Sequence, residues 1–266
     1  MKRNCVVAIR VLSASVLLAC VTTVAAAQRL AAPERTTVLV SAAKAYYNAR
    51  QLGFREFACV AKPDWALLIG SASENAEGLK LLNAQHYYLK LNVDDQVELT
   101  HKSDFVPPKE VEKDLKDLFT GMQEMTSGFF AIWSAFALRN PFPEPASKCE
   151  VLSSASGYEV LCDEPSSKIV TLLTKDFSIT EIRAKVLNTT IVIRPVFNKT
   201  PQGFILAAYD SDADMPDGSK VKSHVEVVYD AQAAYRLPSR IKLDGNMRGQ
   251  KAKIDLILDG YQITKN

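Results

Sequence analysis

Three groups of residues in this chain have the types and spacing that chemistry uses. Asp210-Ser-Asp212-Ala-Asp214 alternates carboxylates as a calcium loop does. Such a loop needs glycine at its sixth position and an acid at its twelfth. Met215 and Val221 stand there, so the calcium pattern fails and the acids are expected in a hairpin loop. Of the three histidines, His86 and His101 fall on one predicted hairpin and His224 on a distant strand; all read as half-exposed strand residues. Cys149 and Cys162 flank the turn-like Ser153-Ser-Ala-Ser-Gly157. A hairpin centred between Ala155 and Ser156 sets Val151 opposite Val160 and Cys149 opposite Cys162, close enough to bridge. That disulfide is expected, two free buried thiols being the alternative, and Cys59 is left as a core residue of its strand. The chain contains no His-Glu-x-x-His, Gly-x-Ser-x-Gly, glycine-rich phosphate loop or Cys-x-x-Cys. Without a paired acid and base it reads as a non-enzyme, with no cofactor and no metal ligand set.

The compartment follows from the N-terminus. Lys2, Arg3 and Arg10 precede an apolar run, Val11 to Ala27, that closes on Ala25-Ala26-Ala27-Gln28. These are the marks of a secretory signal over residues 1–27, and export suits a disulfide. Leu17-Leu18-Ala19-Cys20 also has the form of a bacterial lipobox, with Cys20 as a lipidation site; in the other reading Cys20 is one more apolar residue of the signal. The expected location is periplasmic or outer-membrane-associated. Two glycosylation sequons, at Asn188 and Asn198, matter only in a eukaryotic secretory pathway.

Removing 27 residues leaves 239 of the 266, enough for one large domain or two small ones. The net charge of +2 loses three basic residues and becomes −1. A balance so near neutral excludes non-specific nucleic-acid binding and purely electrostatic capture by an anionic membrane.

Hydrophobic periodicity places the elements. Thr36 or Thr37 caps a helix running to Leu52, with Val40, Ala43 and Tyr47 on its apolar stripe and Gly53 after it. Phe54 to Lys62 alternates as a strand with Phe57, Cys59 and Ala61 on one side. Asp64 caps a short helix from Trp65 to Ile69. A second helix begins at Ser73 and reaches Leu82, interrupted by Gly78. His86–Asn92 and Gln96–Lys102 form a hairpin across Val93-Asp94-Asp95.

After Pro107-Pro108 a long helix is predicted from Lys109 to Arg139. Val111, Leu115, Leu118, Phe119, Met122 and Met125 share one face, and Glu112, Lys113, Asp114, Lys116 and Asp117 the other. From Gly128 the stripe widens into Phe129, Phe130, Ile132, Trp133, Phe136 and Leu138. A segment apolar all round must be covered, yet this one is too short to span a bilayer. Phe129, Phe130, Trp133 and Phe136 have two readings: ordinary core, or the lining and gate of an apolar cavity. Gly121 and Gly128 would let such a gate move, and Met122 and Met125 suit an adaptable surface.

From residue 148 onward the chain reads as strands at 148–153, 158–162, 167–173, 178–186, 189–197, 203–210, 221–230, 236–244 and 250–263, joined by turn-rich connectors. Short regular spacing without helices implies an antiparallel meander with one apolar and one wet face. The fold class is therefore α+β, a curved antiparallel sheet with helices on its apolar face.

The order of these elements, with Phe197-Asn-Lys-Thr-Pro-Gln-Gly203-Phe-Ile-Leu, Val225-Glu-Val-Val-Tyr229, Tyr235-Arg-Leu-Pro238 and Ile254-Asp-Leu-Ile-Leu-Asp-Gly-Tyr261, resembles the LolA/LolB and LppX-like carriers of bacterial lipoproteins and lipids. The resemblance covers most of residues 36–263 and is one of pattern. It implies a single half-barrel domain over 36–266 with a helical insertion at 107–140, its concave apolar face covered by helices. It also implies an apolar cavity for acyl chains of lipoproteins or lipids, serving transport or sorting, with Met122, Met125, Phe129, Phe130, Trp133 and Phe136 as cavity or gate residues. The insertion is longer and more apolar than a plain lipoprotein carrier needs. An envelope membrane or membrane protein is the expected further partner. The competing expectation is a scaffold or interaction module whose interior is filled by its own side chains, held by a lipid anchor if Cys20 is acylated.

Overall fold

A computed structural model describes residues 27–69, 72–164, 167–232, 234–247 and 250–265. Residues 1–26 of the expected signal, with Cys5 and the lipidation candidate Cys20, lie outside the described residues.

The elements run β1 (Gln28–Arg29), α1 (Ala32–Lys44), β2 (Phe54–Pro63), α2 (Trp65–Ile69), α3 (Ala72–Asn83), β3 (Gln85–Asn92), β4 (Val97–Ser103) and α4 (Lys109–Ala137). Nine strands follow: β5 (Glu150–Ser153), β6 (Gly157–Glu164), β7 (Ser167–Thr174), β8 (Ile179–Val186), β9 (Thr189–Thr200), β10 (Gly203–Asp214), β11 (Lys220–Gln232), β12 (Tyr235–Met247) and β13 (Gln250–Lys265). All thirteen strands form one open, curved antiparallel sheet in the order β1-β5-β6-β7-β8-β9-β10-β11-β12-β13-β2-β3-β4, not closed into a barrel. The meander is as expected from the spacing. The pairing of β13 with β2, for example Ile263 with Phe57, adds the N-terminal strands beyond the C-terminal one.

On several strands one face is buried. On β3 it is Gln85, Tyr87, Leu89 and Leu91; on β2 it is Phe57, Cys59 and Ala61; on β11 it is Val225 and Val227. Alternation of this kind is what a sheet with one covered and one wet face requires.

Several boundaries differ from expectation. Helix α1 starts at Ala32, with Pro33 in its first turn, and ends at Lys44 rather than Leu52. Its buried face is Val38, Leu39 and Ala42, while Val40 is exposed. The chain leaves the helix because Tyr46 bridges to Phe204 on β10, and Tyr46 and Tyr47 are both buried. That crossing is tight. A Cβ on Gly203, whose φ is +113°, would come within 2.7 Å of the Ala45 carbonyl oxygen, so only glycine fits there. Helix α3 kinks at Asn75, not at Gly78; the Asn75 side chain accepts from the Gly78 amide at 3.1 Å and so caps the second part. Helix α4 ends at Ala137, two residues short of Arg139.

The acids at Asp210, Asp212 and Asp214 correct another expectation. They lie in strand β10, not in a loop. Each faces a partner on β11, Asp210 with His224, Asp212 with Lys222 and Asp214 with Lys220. Complementary cross-strand pairs let a charged stretch remain extended.

Candidate functional site

Helix α4 carries most of the predicted site residues. Its 29 residues make it about 44 Å long. Eight strands, β9 to β4 in sheet order, span an arc of only about 34 Å, so one such helix can reach across all of them. Its ring contacts follow that path. Phe119 meets His101 of β4 at 4.2 Å and Tyr87 of β3 at 6.4 Å between centroids. Phe130 meets Phe57 of β2 at 5.8 Å. The Trp133 indole Nε1 donates to the Tyr229 hydroxyl of β11 at 3.1 Å. Phe136 meets Phe197 of β9 at 5.2 Å, edge to face. Read from residue 119 to 136, α4 meets the strands in sheet order.

The structure thus brings Phe129, Phe130, Trp133 and Phe136 into one buried aromatic group; Trp133 and Phe130 are wholly enclosed. Phe130 touches both Phe129 and Trp133, at 4.8 and 5.8 Å. Met122 is buried and Met125 half-buried against the same core. Burial is uneven along the helix. Val111, Leu115, Leu118 and Phe119 are only half-buried, whereas Phe129 to Ala137 supplies most of the buried positions. Gly121 and Gly128 have open space where a Cβ would sit, so neither is required for close packing.

The sheet-side partners were not singled out as site residues. Phe57, Tyr46, Phe197, Tyr229 and Tyr261 build the other half of the aromatic group. Tyr46 follows α1; for the other four the signal in the sequence is an aromatic on the inward side of a strand. Burial pushes the Tyr229 hydroxyl well above the usual phenol range, with the Trp133 hydrogen bond opposing. Burial likewise lifts the Cys59 thiol to about 12 from 9.0, against a hydrogen bond with Tyr261; a thiol so held is a core group, not a nucleophile.

Cys149 and Cys162 form the expected disulfide, with Cα atoms 4.4 Å apart. The hairpin register is the predicted one, Val151 opposite Val160. The bridge fastens β5 to β6, where the Arg35 guanidinium of α1 donates to the Cys149 carbonyl at 3.2 Å.

The polar face of the sheet offers different chemistry. A groove of about 620 Å³ is lined by Arg194, Asp210, Asp212, Lys222, His224 and Asp244, among others. In strand register Arg194, Asp210, His224, Asp244 and Lys253 form one transverse row. Arg194 bonds Asp212 at 2.7 Å and holds its carboxyl below the usual range, Lys222 assisting. His86 and His224 are half-exposed, each against an aspartate. Among the described residues no group of three or more His, Cys, Asp or Glu is placed to hold a metal ion, and no described helix is long and apolar enough to cross a membrane. Residues that already neutralise one another in pairs describe a solvated face rather than a reaction centre.

No family model matches the chain, and neither a curated protein nor a solved structure matches it.

Proposed function

We propose that this is an exported bacterial envelope protein that binds acyl chains of lipids or lipoproteins between helix α4 and the apolar face of the curved sheet, for transport or sorting. In this reading the sheet is a half-barrel, α4 is its cover, and Met122, Met125, Phe129, Phe130, Trp133 and Phe136 line or gate the space beneath. The observation that carries it is the uneven hold of α4: its second half is anchored through Trp133 and Phe136, while Leu115, Leu118 and Phe119 remain half-buried. A cover fixed at one end and loose at the other can admit a chain without unfolding the domain. Each methylene buried contributes about 0.8 kcal/mol, so a long chain binds without a charged contact.

The test is uptake of a fluorescent fatty acid by the purified protein and by Leu118→Asp. The variant is expected to fold with an unchanged circular dichroism spectrum and to lose uptake. Full uptake by the variant would remove α4 from the site.

A specific observation favours a second reading. The aromatic group is already packed ring to ring, and none of Phe129, Phe130, Trp133 or Phe136 lines the polar groove on the other face. A filled interior suits a non-transporting scaffold or interaction module of the envelope, lipid-anchored if Cys20 is acylated.

A further inference from the structure

The antiparallel order puts the C-terminal ends of β6, β8, β10 and β12 at one end of the sheet. The buried rings of Phe204 and Tyr235, and Phe177 packed beside Tyr158, lie at the other end. Strand β10 is about 40 Å long at ~3.3 Å per residue, so the first end stands well away from α1 and its contact at Tyr46.

That far end carries apolar residues where polar ones are usual. Val186 and Thr189 are paired, leaving Leu187-Asn188 as a two-residue turn. A two-residue turn with positive φ at its first position favours glycine there. Leu187 holds φ at +53° and is 76 % exposed. A bulky residue there bears a steric cost and gains no burial. Val186 and Met215 are exposed beside it; Asp214 opposite Thr190 sets Met215 next to the Leu187 turn.

The surrounding charge is mixed, and two of its lysines face each other. Lys168 lies directly opposite Lys185, a destabilising arrangement of like charges. Neither is in an ion pair among the described residues, although Asp163 stands across from Lys168 on the other side. Lys220 pairs with Asp214 at 3.1 Å and Lys222 with Asp212 at 3.3 Å, and Asp217 is bonded by Ser219.

We infer that this end of the sheet docks on an anionic lipid bilayer. Leu187, Val186 and Met215 enter the headgroup boundary, and Lys168 and Lys185 find phosphate partners as their stems lie along the interface. The near-neutral chain is not drawn by charge alone; apolar insertion and two local lysines act together, each lysine adding on the order of fivefold in affinity. This inference stands independently of acyl-chain binding.

The experiment is flotation of the purified protein carrying Cys20→Ser, so that no acyl anchor can hold it, with vesicles of phosphatidylcholine alone or mixed with phosphatidylglycerol. Binding is expected to the mixed vesicles, falling with salt, at least about tenfold weaker for Leu187→Asp, and unchanged for Leu52→Asp, which alters an exposed leucine outside the hairpin turns. A tryptophan at the tip, Leu187→Trp, is expected to shift its emission to the blue with vesicles. Fatty-acid uptake by Leu187→Asp stays that of the parent, which separates docking from cargo binding. No flotation, or flotation indifferent to Leu187→Asp, overturns the inference. A lipid-free dimer that Leu187→Asp dissolves, without flotation, overturns it in favour of self-association.

Discussion

The Trp133 indole on α4 donates its N–H to the Tyr229 hydroxyl on β11, 3.1 Å away, inside the buried core. This bond ties the helix to the middle of the sheet. Tyr229→Phe would leave the indole N–H buried and unpaired, at a cost of about 1–3 kcal/mol. Urea denaturation of the variant is expected to show that loss with an unchanged slope. A midpoint equal to the parent's would mean that the bond does not hold α4.

The second prediction concerns the glycines of α4. Gly121 and Gly128 sit in a helix interior with room for a methyl group. Each replacement by alanine should stabilise by up to about 1 kcal/mol. If α4 opens by bending there, the double variant will also take up and release a fluorescent fatty acid more slowly. Thermal melts and stopped-flow exchange read the two effects separately, and a stabilised variant with unchanged exchange rates would deny the glycines a hinge role.

The Cys149–Cys162 bridge closes a short loop, with a sequence separation of 13. Loops of that size contribute about 3 kcal/mol through the unfolded chain. Cys149→Ser/Cys162→Ser is expected to lower stability by about that amount, and reductant to have no further effect on the double variant. A parent whose stability reductant leaves unchanged would show that the bridge contributes nothing.

Alkaline pH gives a fourth test. The Cys59 thiol titrates at about 12 in the folded protein and near 9.0 when exposed, and burial raises Tyr46, Tyr47, Tyr87, Tyr209, Tyr229 and Tyr261. Between the two thiol values the unfolded chain binds fewer protons than the folded one, so stability falls as pH rises. It is fully present below pH 9 and declines from there toward pH 12. Cys59 should resist alkylation at pH 8 and react after unfolding. Rapid labelling of the folded protein would contradict its placement in the core.

Much of this architecture was legible because it is local. The pairing of Val151 with Val160 follows from one symmetric turn, and it carried the disulfide with it. Alternation on β2 placed Phe57, Cys59 and Ala61 on the buried face. The spacing of Val111 to Met125 found the face of α4, although not how unevenly it is covered. What escaped depends on distant residues. Nothing near Phe57 signals that its strand pairs with Ile263. The end of α1 at Lys44 is set by Tyr46 meeting Phe204, and the turn-like Gly203 marks that crossing. Asp210 to Asp214 reads as a loop until the cations on β9 and β11 are placed opposite. The sheet-side rings were visible as aromatic strand residues, but only the path of α4 joins Tyr229, Phe57 and Phe197 into one group.

The most direct measurement is mass spectrometry of an organic extract. The chain would be expressed with its export signal and purified without detergent. The account predicts one acyl lipid per protein, and it predicts that Leu118→Asp yields none while remaining folded. A clean extract from a parent that also takes up no fluorescent fatty acid would contradict it, leaving the space beneath α4 filled by Phe129, Phe130, Trp133 and Phe136 alone.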